Sequence, residues 1–166
     1  MKKLVLTTML VAGFAGIIIA ADAAKPDFTL KNLSGTEVTL SGLAGSVVVI
    51  DFWAMWCKSC KEAFPELNKL NKDYAAKNVK VMGIDLENAK PEKIAAFAKN
   101  AGIEYEILLD PKGTTTKTFS ITGVPSLAII KPDGTIAKVF RGMNKQTEKD
   151  IRALLDSLTQ TQQEAK

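Results

Sequence analysis

Residues 51–61 read DFWAMWCKSCK and contain both cysteines of the chain, Cys57 and Cys60. The apolar run that leads into them, Val47 to Phe52, has the length and the β-branched content of a strand buried on both faces. Helix-forming residues follow from Glu62 to Ala76. We therefore expect the two cysteines where a buried strand passes into a helix, with two residues between them.

This position gives the two cysteines a specific chemistry. A cysteine at a helix N-terminus faces unpaired backbone N–H groups and the positive end of the helix dipole. Both favour the thiolate, and such sites lower a thiol pKa from about 8.5 to about 3.5–7.5. Cys57 is therefore a candidate nucleophile for a substrate disulfide. Cys60 lies within one helical turn and can resolve the mixed disulfide by intramolecular attack.

The composition excludes several other chemistries. Among the 166 residues there is no histidine, which excludes Ser-His-Asp and Cys-His catalysis and histidine metal ligation. Two cysteines cannot form a four-cysteine zinc site, so neither a metal nor another cofactor is expected. The net charge of +4 comes from interspersed positive and negative residues, a pattern that does not indicate nucleic-acid binding. An inert disulfide remains an alternative, although so short a loop provides little stabilisation.

The N-terminus has the pattern of a secretory signal. A short basic start, Met1 to Lys3, precedes an uncharged apolar run from Leu4 to Ala20. Ala21-Asp22-Ala23 then fits a signal-peptidase site, so we predict a signal peptide over residues 1–23. An uncleaved membrane anchor is the alternative. Either segment places the folded part outside the cytoplasm, where a disulfide can persist.

The remaining sequence predicts one α/β domain over residues 24–158 and a flexible tail over residues 159–166. Strand–helix–strand units followed by a hairpin and a last helix are typical of a mixed sheet with helices on both faces. In addition to the elements named above, we predict strands over 28–30, 38–40, 79–84, 105–109, 126–130 and 135–140, and helices over 91–101, 114–119 and 147–158.

These motifs resemble thioredoxin. Residues 51–61, the Gly123-Val124-Pro125 motif and the Pro132-Asp133-Gly134 turn are similar to the secreted thioredoxin-like reductases of bacterial envelopes, the TlpA/ResA type. The resemblance runs from about Pro26 to Leu158. It implies a thioredoxin fold, in which helices flank a mixed central sheet, with an N-terminal β-hairpin extension.

The resemblance also implies roles for residues near the cysteines. Cys57 would be the exposed nucleophile and Cys60 the buried resolving thiol. Thioredoxin has an aspartate at the place of Asp51, which assists proton transfer to the resolving thiol, whereas the TlpA/ResA type commonly lacks it. Several of the latter carry a glutamate three residues after the second cysteine, where this chain has Ala63; we expect the neighbouring Glu62 to face elsewhere.

Asp51 can be assessed from its own surroundings as well. A carboxylate inside an apolar strand is costly to bury in its charged form, so its pKa is expected to rise. We expect Asp51 to act as the acid/base of Cys60, through a water molecule. A strand-end aspartate that reaches solvent is the alternative.

Four further residues are candidates for substrate binding. The resemblance implies that Pro125 is a cis-proline against the disulfide and that an extended substrate pairs with the backbone beside it, at Val124. Trp56 is interpreted as a partly exposed platform beside Cys57. Gly142 matches a thioredoxin glycine that lines the substrate groove. An ordinary strand-entry proline and a strand-ending glycine are the alternatives for Pro125 and Gly142.

The function implied by the resemblance is that of a thiol:disulfide oxidoreductase. We expect a monomer that reduces protein disulfides in the periplasm, or at the outer face of the cytoplasmic membrane if the anchor is kept. Cytochrome c maturation is the usual task of similar proteins, with apocytochrome c as substrate and a membrane thiol carrier as electron donor. The same chemistry run as an oxidant or isomerase is one alternative, and a copper(I)-binding thiol chaperone is another.

Overall fold

A seven-stranded sheet organises the protein in the computed structural model, which describes residues 25–164. The predicted signal segment over residues 1–23 lies outside the described residues. The strands are β1 (Thr29–Asn32), β2 (Glu37–Thr39), β3 (Val47–Trp53), β4 (Val79–Asp85), β5 (Glu106–Leu109), β6 (Ser126–Ile130) and β7 (Ile136–Arg141). The helices are α1 (Lys58–Tyr74), α2 (Pro91–Ala101), α3 (Thr114–Thr118) and α4 (Lys145–Glu164).

The sheet is mixed, as predicted, with the order β2-β1-β5-β4-β3-β6-β7. The central strand β3 runs parallel to β4 and antiparallel to β6. The β1–β2 hairpin joins the sheet through an antiparallel pairing of β1 with β5. This arrangement confirms the thioredoxin fold with its N-terminal hairpin extension.

Every residue of β3 is buried, and its side chains alternate between two cores. Val49 and Trp53 face the core that α1 and α4 cover. Ile50 and Phe52 face the second core, where the Phe52 ring lies 5.5 Å from the ring of Phe119. The alternation puts Asp51 on the same face as Val49 and Trp53, beneath α1.

Helix α1 begins at Lys58 rather than at Glu62, because Cys57 caps it. The Cys57 sulfur accepts a hydrogen bond from the Cys60 N–H at 3.1 Å. Pro65 lies inside the helix without ending it. Its ring is on the exposed surface, where the carbonyl left without an N–H partner in the preceding turn can bind water.

Helix α4 is longer than predicted at both ends. The Asn144 side chain accepts hydrogen bonds from the N–H groups of Gln146 and Thr147, both at 2.9 Å, so the helix starts at Lys145. Within the described residues the helix continues to Glu164, into the segment over residues 159–166 that is predicted as a tail. Thr159 is 3% exposed, and its hydroxyl donates to the Leu155 carbonyl at 2.9 Å. Within residues 25–164, no helix has the length and apolar character needed to span a membrane.

Candidate active site

The two cysteines form a disulfide across the first turn of α1. Their sulfur atoms are 2.03 Å apart and their Cα atoms 5.3 Å apart. Strand β3 leads directly into this turn, and the Cys57 N–H donates to the Ala54 carbonyl at 3.0 Å. The pair therefore lies where the sequence places it, at the junction of a buried strand and a helix.

The electrostatics of this turn favour negative charge on Cys57. The first turn of α1 contains no acidic residue to offset the positive end of the helix dipole. Lys58 is exposed beside it, and the Lys61 ammonium lies 5.3 Å from the centre of the Phe97 ring. The Cys60 N–H donates to the Cys57 sulfur in this disulfide form, and a donor of this kind favours a thiolate. The arrangement suits Cys57 for attack and Cys60 for resolution.

Access to the disulfide is narrower than the resemblance implies. Cys57 keeps 4% of its surface exposed and Cys60 keeps none, so the expectation of an exposed nucleophile is corrected to a nearly buried one. Cys57 is reached through a surface cavity of 320 Å³ that it lines together with Trp56, Val124 and Glu62. Glu62 is exposed and lines this cavity, whereas Ala63 is buried, so the two neighbouring side chains face different surroundings, as the sequence predicts.

A second cavity adjoins the first near the start of β6. Val124 lines both cavities, and the peptide bond between Val124 and Pro125 is cis, as expected. The second cavity has a volume of 240 Å³ and is also lined by Gly142 and Arg141. The Gly142 N–H donates to the Pro125 carbonyl at 2.8 Å. Trp56, which is 73% exposed, flanks the opening near Cys57. The four predicted substrate-binding residues thus line two cavities that share Val124 and that together form the groove beside Cys57.

Asp51 lies inside the protein rather than in the groove. It is 1% exposed, and the Tyr105 hydroxyl donates a hydrogen bond to its Oδ2 atom at 3.0 Å. Its other oxygen, Oδ1, has no hydrogen-bond partner among the described residues. Burial raises the pKa of Asp51 to about 7, and the hydrogen bond from Tyr105 counteracts part of this rise. The alternative of an aspartate that reaches solvent is therefore wrong.

Tyr105 and Gly83 belong to no catalytic motif and were not predicted as site residues. Gly83 is the partner of Asp51 in the β3–β4 register. A Cβ atom at this glycine would lie 2.7 Å from Trp53 Nε1 and 3.0 Å from the Tyr105 ring. The absence of a side chain at Gly83 therefore makes room for the tyrosine to reach Asp51. A glycine inside an apolar strand was the available signal, since it often marks such a close approach.

A second buried carboxyl group, Asp85, lies at the end of β4. Burial raises its pKa to about 7, and the nearby Glu87 carboxylate contributes in the same direction. The N–H of Glu87 donates to Asp85 Oδ1 at 3.1 Å and counteracts part of the rise. The Glu87 carboxylate accepts a hydrogen bond from the Met55 N–H, in the loop before Cys57. Glu87 thereby fixes the active-site loop to the end of β4.

The chemistry available at this site is thiol–disulfide exchange. Within residues 25–164, no group of three or more His, Cys, Asp or Glu side chains is placed to hold a metal ion. A thioredoxin fold with a Cys-x-x-Cys pair at the start of a helix defines a class of thiol–disulfide oxidoreductases, and this protein is one of them. The model of the AhpC/TSA family matches residues 21–139, and the chain belongs to that family.

Individual relatives agree with this class. The chain is 35% identical over 133 residues to the thioredoxin-like protein YneN of Bacillus subtilis, which covers 79% of this chain and 76% of YneN. It is 30% identical over 133 residues to the thiol-disulfide oxidoreductase ResA of the same organism, over 79% of this chain and 72% of ResA.

Solved structures show the same fold. A candidate thiol:disulfide interchange protein DsbE from Chlorobium tepidum superposes with a TM-score of 0.75 at 30% identity, covering 81% of this chain and 94% of that one. The exposed lipoprotein thioredoxin Etrx1 of Streptococcus pneumoniae has a TM-score of 0.70 at 24% identity, covering 80% and 99% of the two chains. At that identity the second similarity concerns the fold alone.

Proposed function

We propose that this protein acts outside the cytoplasm as a reductant of protein disulfides. The observation that carries the proposal is the Cys57–Cys60 pair at the positive end of α1, with an open groove beside Cys57. The relatives support the chemistry, since they include a thiol:disulfide interchange protein of the DsbE type and the thiol-disulfide oxidoreductase ResA. The pattern of residues 1–23 supports export.

The reaction begins with the reduced protein. The Cys57 thiolate attacks one sulfur of a substrate disulfide, and the other substrate sulfur leaves as a thiolate that takes up a proton. The Cys60 thiol then loses its proton and attacks Cys57, which forms the intramolecular disulfide and releases the substrate as a dithiol. The substrate gains two electrons and the protein loses two. A thiol donor must reduce the protein again, and a membrane thiol carrier fits an oxidising compartment.

Asp51 supplies the base for the second step in this proposal. Its carboxyl group lies on the face of β3 that α1 covers, the side on which Cys60 is buried. A pKa of about 7 lets it accept a proton near neutral pH and release it again. The free Oδ1 atom is the one available for exchange with Cys60 through water.

The groove supplies substrate contacts. Among the described residues, the Val124 backbone N–H and C=O form no hydrogen bond, so an extended substrate can pair with them. Trp56 provides an exposed apolar surface next to Cys57, and Gly142 leaves the far side of the groove open. Apocytochrome c, with its paired cysteines, is the substrate that the resemblance to the TlpA/ResA type suggests. A monomer is sufficient for this chemistry.

A redox titration of the Cys57–Cys60 couple in glutathione buffers tests the direction of electron flow. A reductant should have a potential close to the value of thioredoxin, about −270 mV. A potential near about −120 mV, the value of the strong periplasmic oxidant, would contradict the proposal and favour oxidation. Stoichiometric retention of copper(I), with no turnover of a model disulfide, would favour the chaperone instead.

A further inference from the structure

Arginine is rare among the basic residues of the chain. Of its 22 basic residues only Arg141 and Arg152 are arginines. Arg152 contacts three carboxylates: those of Glu66, Asp73 at 2.9 Å and Glu148 at 3.5 Å. A guanidinium group suits this task because its planar fork matches a carboxylate better than an ammonium does.

Arg141 has no such partner. Its side chain is exposed, and it forms no ion pair or hydrogen bond with any residue between 25 and 164. It lies at the end of β7, opposite Ser126 in the register, and lines the cavity beside the cis peptide of Val124 and Pro125. Arg141 thus lines the groove, and its guanidinium group has no carboxylate partner among residues 25–164.

The groove carries a net positive charge only at the end where Arg141 lies. Near Cys57 the cavity is lined by one positive and one negative residue, Lys58 and Glu62. Beyond Val124 the lining contains Arg141 as its only charged side chain. An extended chain advances about 3.3 Å per residue. A substrate segment that starts at Cys57 and passes Val124 therefore brings a side chain to Arg141 within a few residues of its own cysteine.

We propose that Arg141 binds a carboxylate of the substrate, so that the protein prefers disulfides whose cysteine is flanked by Asp or Glu. The inference rests on the proposed disulfide reductase function and adds a substrate class to it. The contact is partly solvated, and its contribution should be that of a surface ion pair with favourable geometry, a two- to fivefold effect on rate at about 50 mM salt. Salt should weaken it.

Disulfide-bonded peptides with Glu or Gln at each position from three before to three after the cysteine test this preference. Their reduction by the reduced wild-type protein is compared with that by Arg141→Gln, Arg141→Lys and Lys138→Gln. Lys138 is a matched control, since it lies on the same strand with its ammonium 4.6 Å from the Phe140 ring. The wild type should reduce Glu peptides about two to five times faster at one or two positions on one side of the cysteine.

The variants distinguish an ion pair between Arg141 and the substrate from a general electrostatic attraction to basic residues of this strand. Arg141→Gln should remove the preference, Arg141→Lys should keep less than the wild type, and Lys138→Gln should keep all of it. Equal rates for Glu and Gln peptides in the wild type, or an equal loss in Lys138→Gln, would overturn the inference about Arg141 while leaving the reductase function intact. Failure of the wild type to reduce any of the peptides would contradict the proposed function itself, and this inference with it.

Discussion

Among the described residues, a single hydrogen bond stabilises the ionised form of the Asp51 carboxyl group. The Tyr105 hydroxyl donates to it at 3.0 Å and stabilises the charged form, against the effect of burial. Replacing Tyr105 with Phe removes this donor, so the pKa of Asp51 should rise above its present value of about 7. The pH midpoint of the resolving step, followed by stopped-flow fluorescence, should move upward with it.

The other tyrosine of the chain is a matched control for this prediction. Tyr74 also donates to an aspartate, Asp156, at 3.0 Å, but this pair lies between α1 and α4. Tyr74→Phe should leave the pH midpoint unchanged. An unchanged midpoint in Tyr105→Phe would show that Asp51 does not take part in resolution.

Burial of Asp51 also has a consequence for stability. Its folded pKa is raised from 3.8 to about 7, so between these values the unfolded chain ionises while the folded protein keeps the proton. The free energy of unfolding therefore falls as pH rises through this window, by about 1.4 kcal/mol per pH unit, and levels off above it. The raised pKa of Asp85 changes the free energy of unfolding with pH in the same direction.

Asp51→Asn should remove one of these two contributions. The oxidised variant should gain stability over the wild type on going from pH 4 to pH 8, on the order of 2–4 kcal/mol. Urea unfolding at pH 4, 6 and 8 measures the difference. A stability difference that does not change with pH would contradict a buried, protonated Asp51.

At the scale of single elements, the packing of β4 against its neighbours is sensitive to one glycine. A methyl group at Gly83 would come within 2.7 Å of Trp53 Nε1 and 3.0 Å of the Tyr105 ring, and both side chains are buried. Gly83→Ala should therefore destabilise the protein by about 1–3 kcal/mol. Gly42→Ala is the control, because nothing lies within 4 Å of its added Cβ. Equal unfolding midpoints of the two variants in urea would contradict this packing.

Helix ends show what sequence patterns predict well and what they miss. Helix α2 spans Pro91–Ala101 as predicted, because Pro91 suits its first turn and Gly102 adopts the left-handed conformation (φ 70°) that ends it. The start of α1 was missed, since a cysteine sulfur is an unusual cap. Helix α4 starts two residues before its predicted start, because the Asn144 side chain caps it.

At the scale of the whole molecule, strand order explains why distant motifs meet. Strands β3 and β6 are antiparallel neighbours, with Phe52 opposite Ser126. The end of β3 therefore lies beside the start of β6, and Cys57 lines a cavity together with Val124, the residue that forms the cis peptide bond with Pro125. The cysteine and proline motifs predicted this meeting through their resemblance to thioredoxin.

Contacts between residues far apart in the chain could not be predicted in the same way. Tyr105 reaches Asp51 from a position 54 residues away, through a space that a third strand leaves open. Arg141 enters the groove because β7 pairs with β6 in one particular register. No local sequence pattern predicts either contact, because each depends on how the strands are paired in three dimensions.

Trapping of the mixed disulfide tests the division of roles between the two cysteines most directly. Reduced Cys60→Ser and Cys57→Ser variants are mixed with a disulfide-bonded protein substrate, and covalent complexes are followed on non-reducing gels. Cys60→Ser should accumulate a complex joined through Cys57, since no resolving thiol remains, whereas Cys57→Ser should form almost none. Equal complex formation by both variants, or none by Cys60→Ser, would contradict attack by Cys57 and resolution by Cys60.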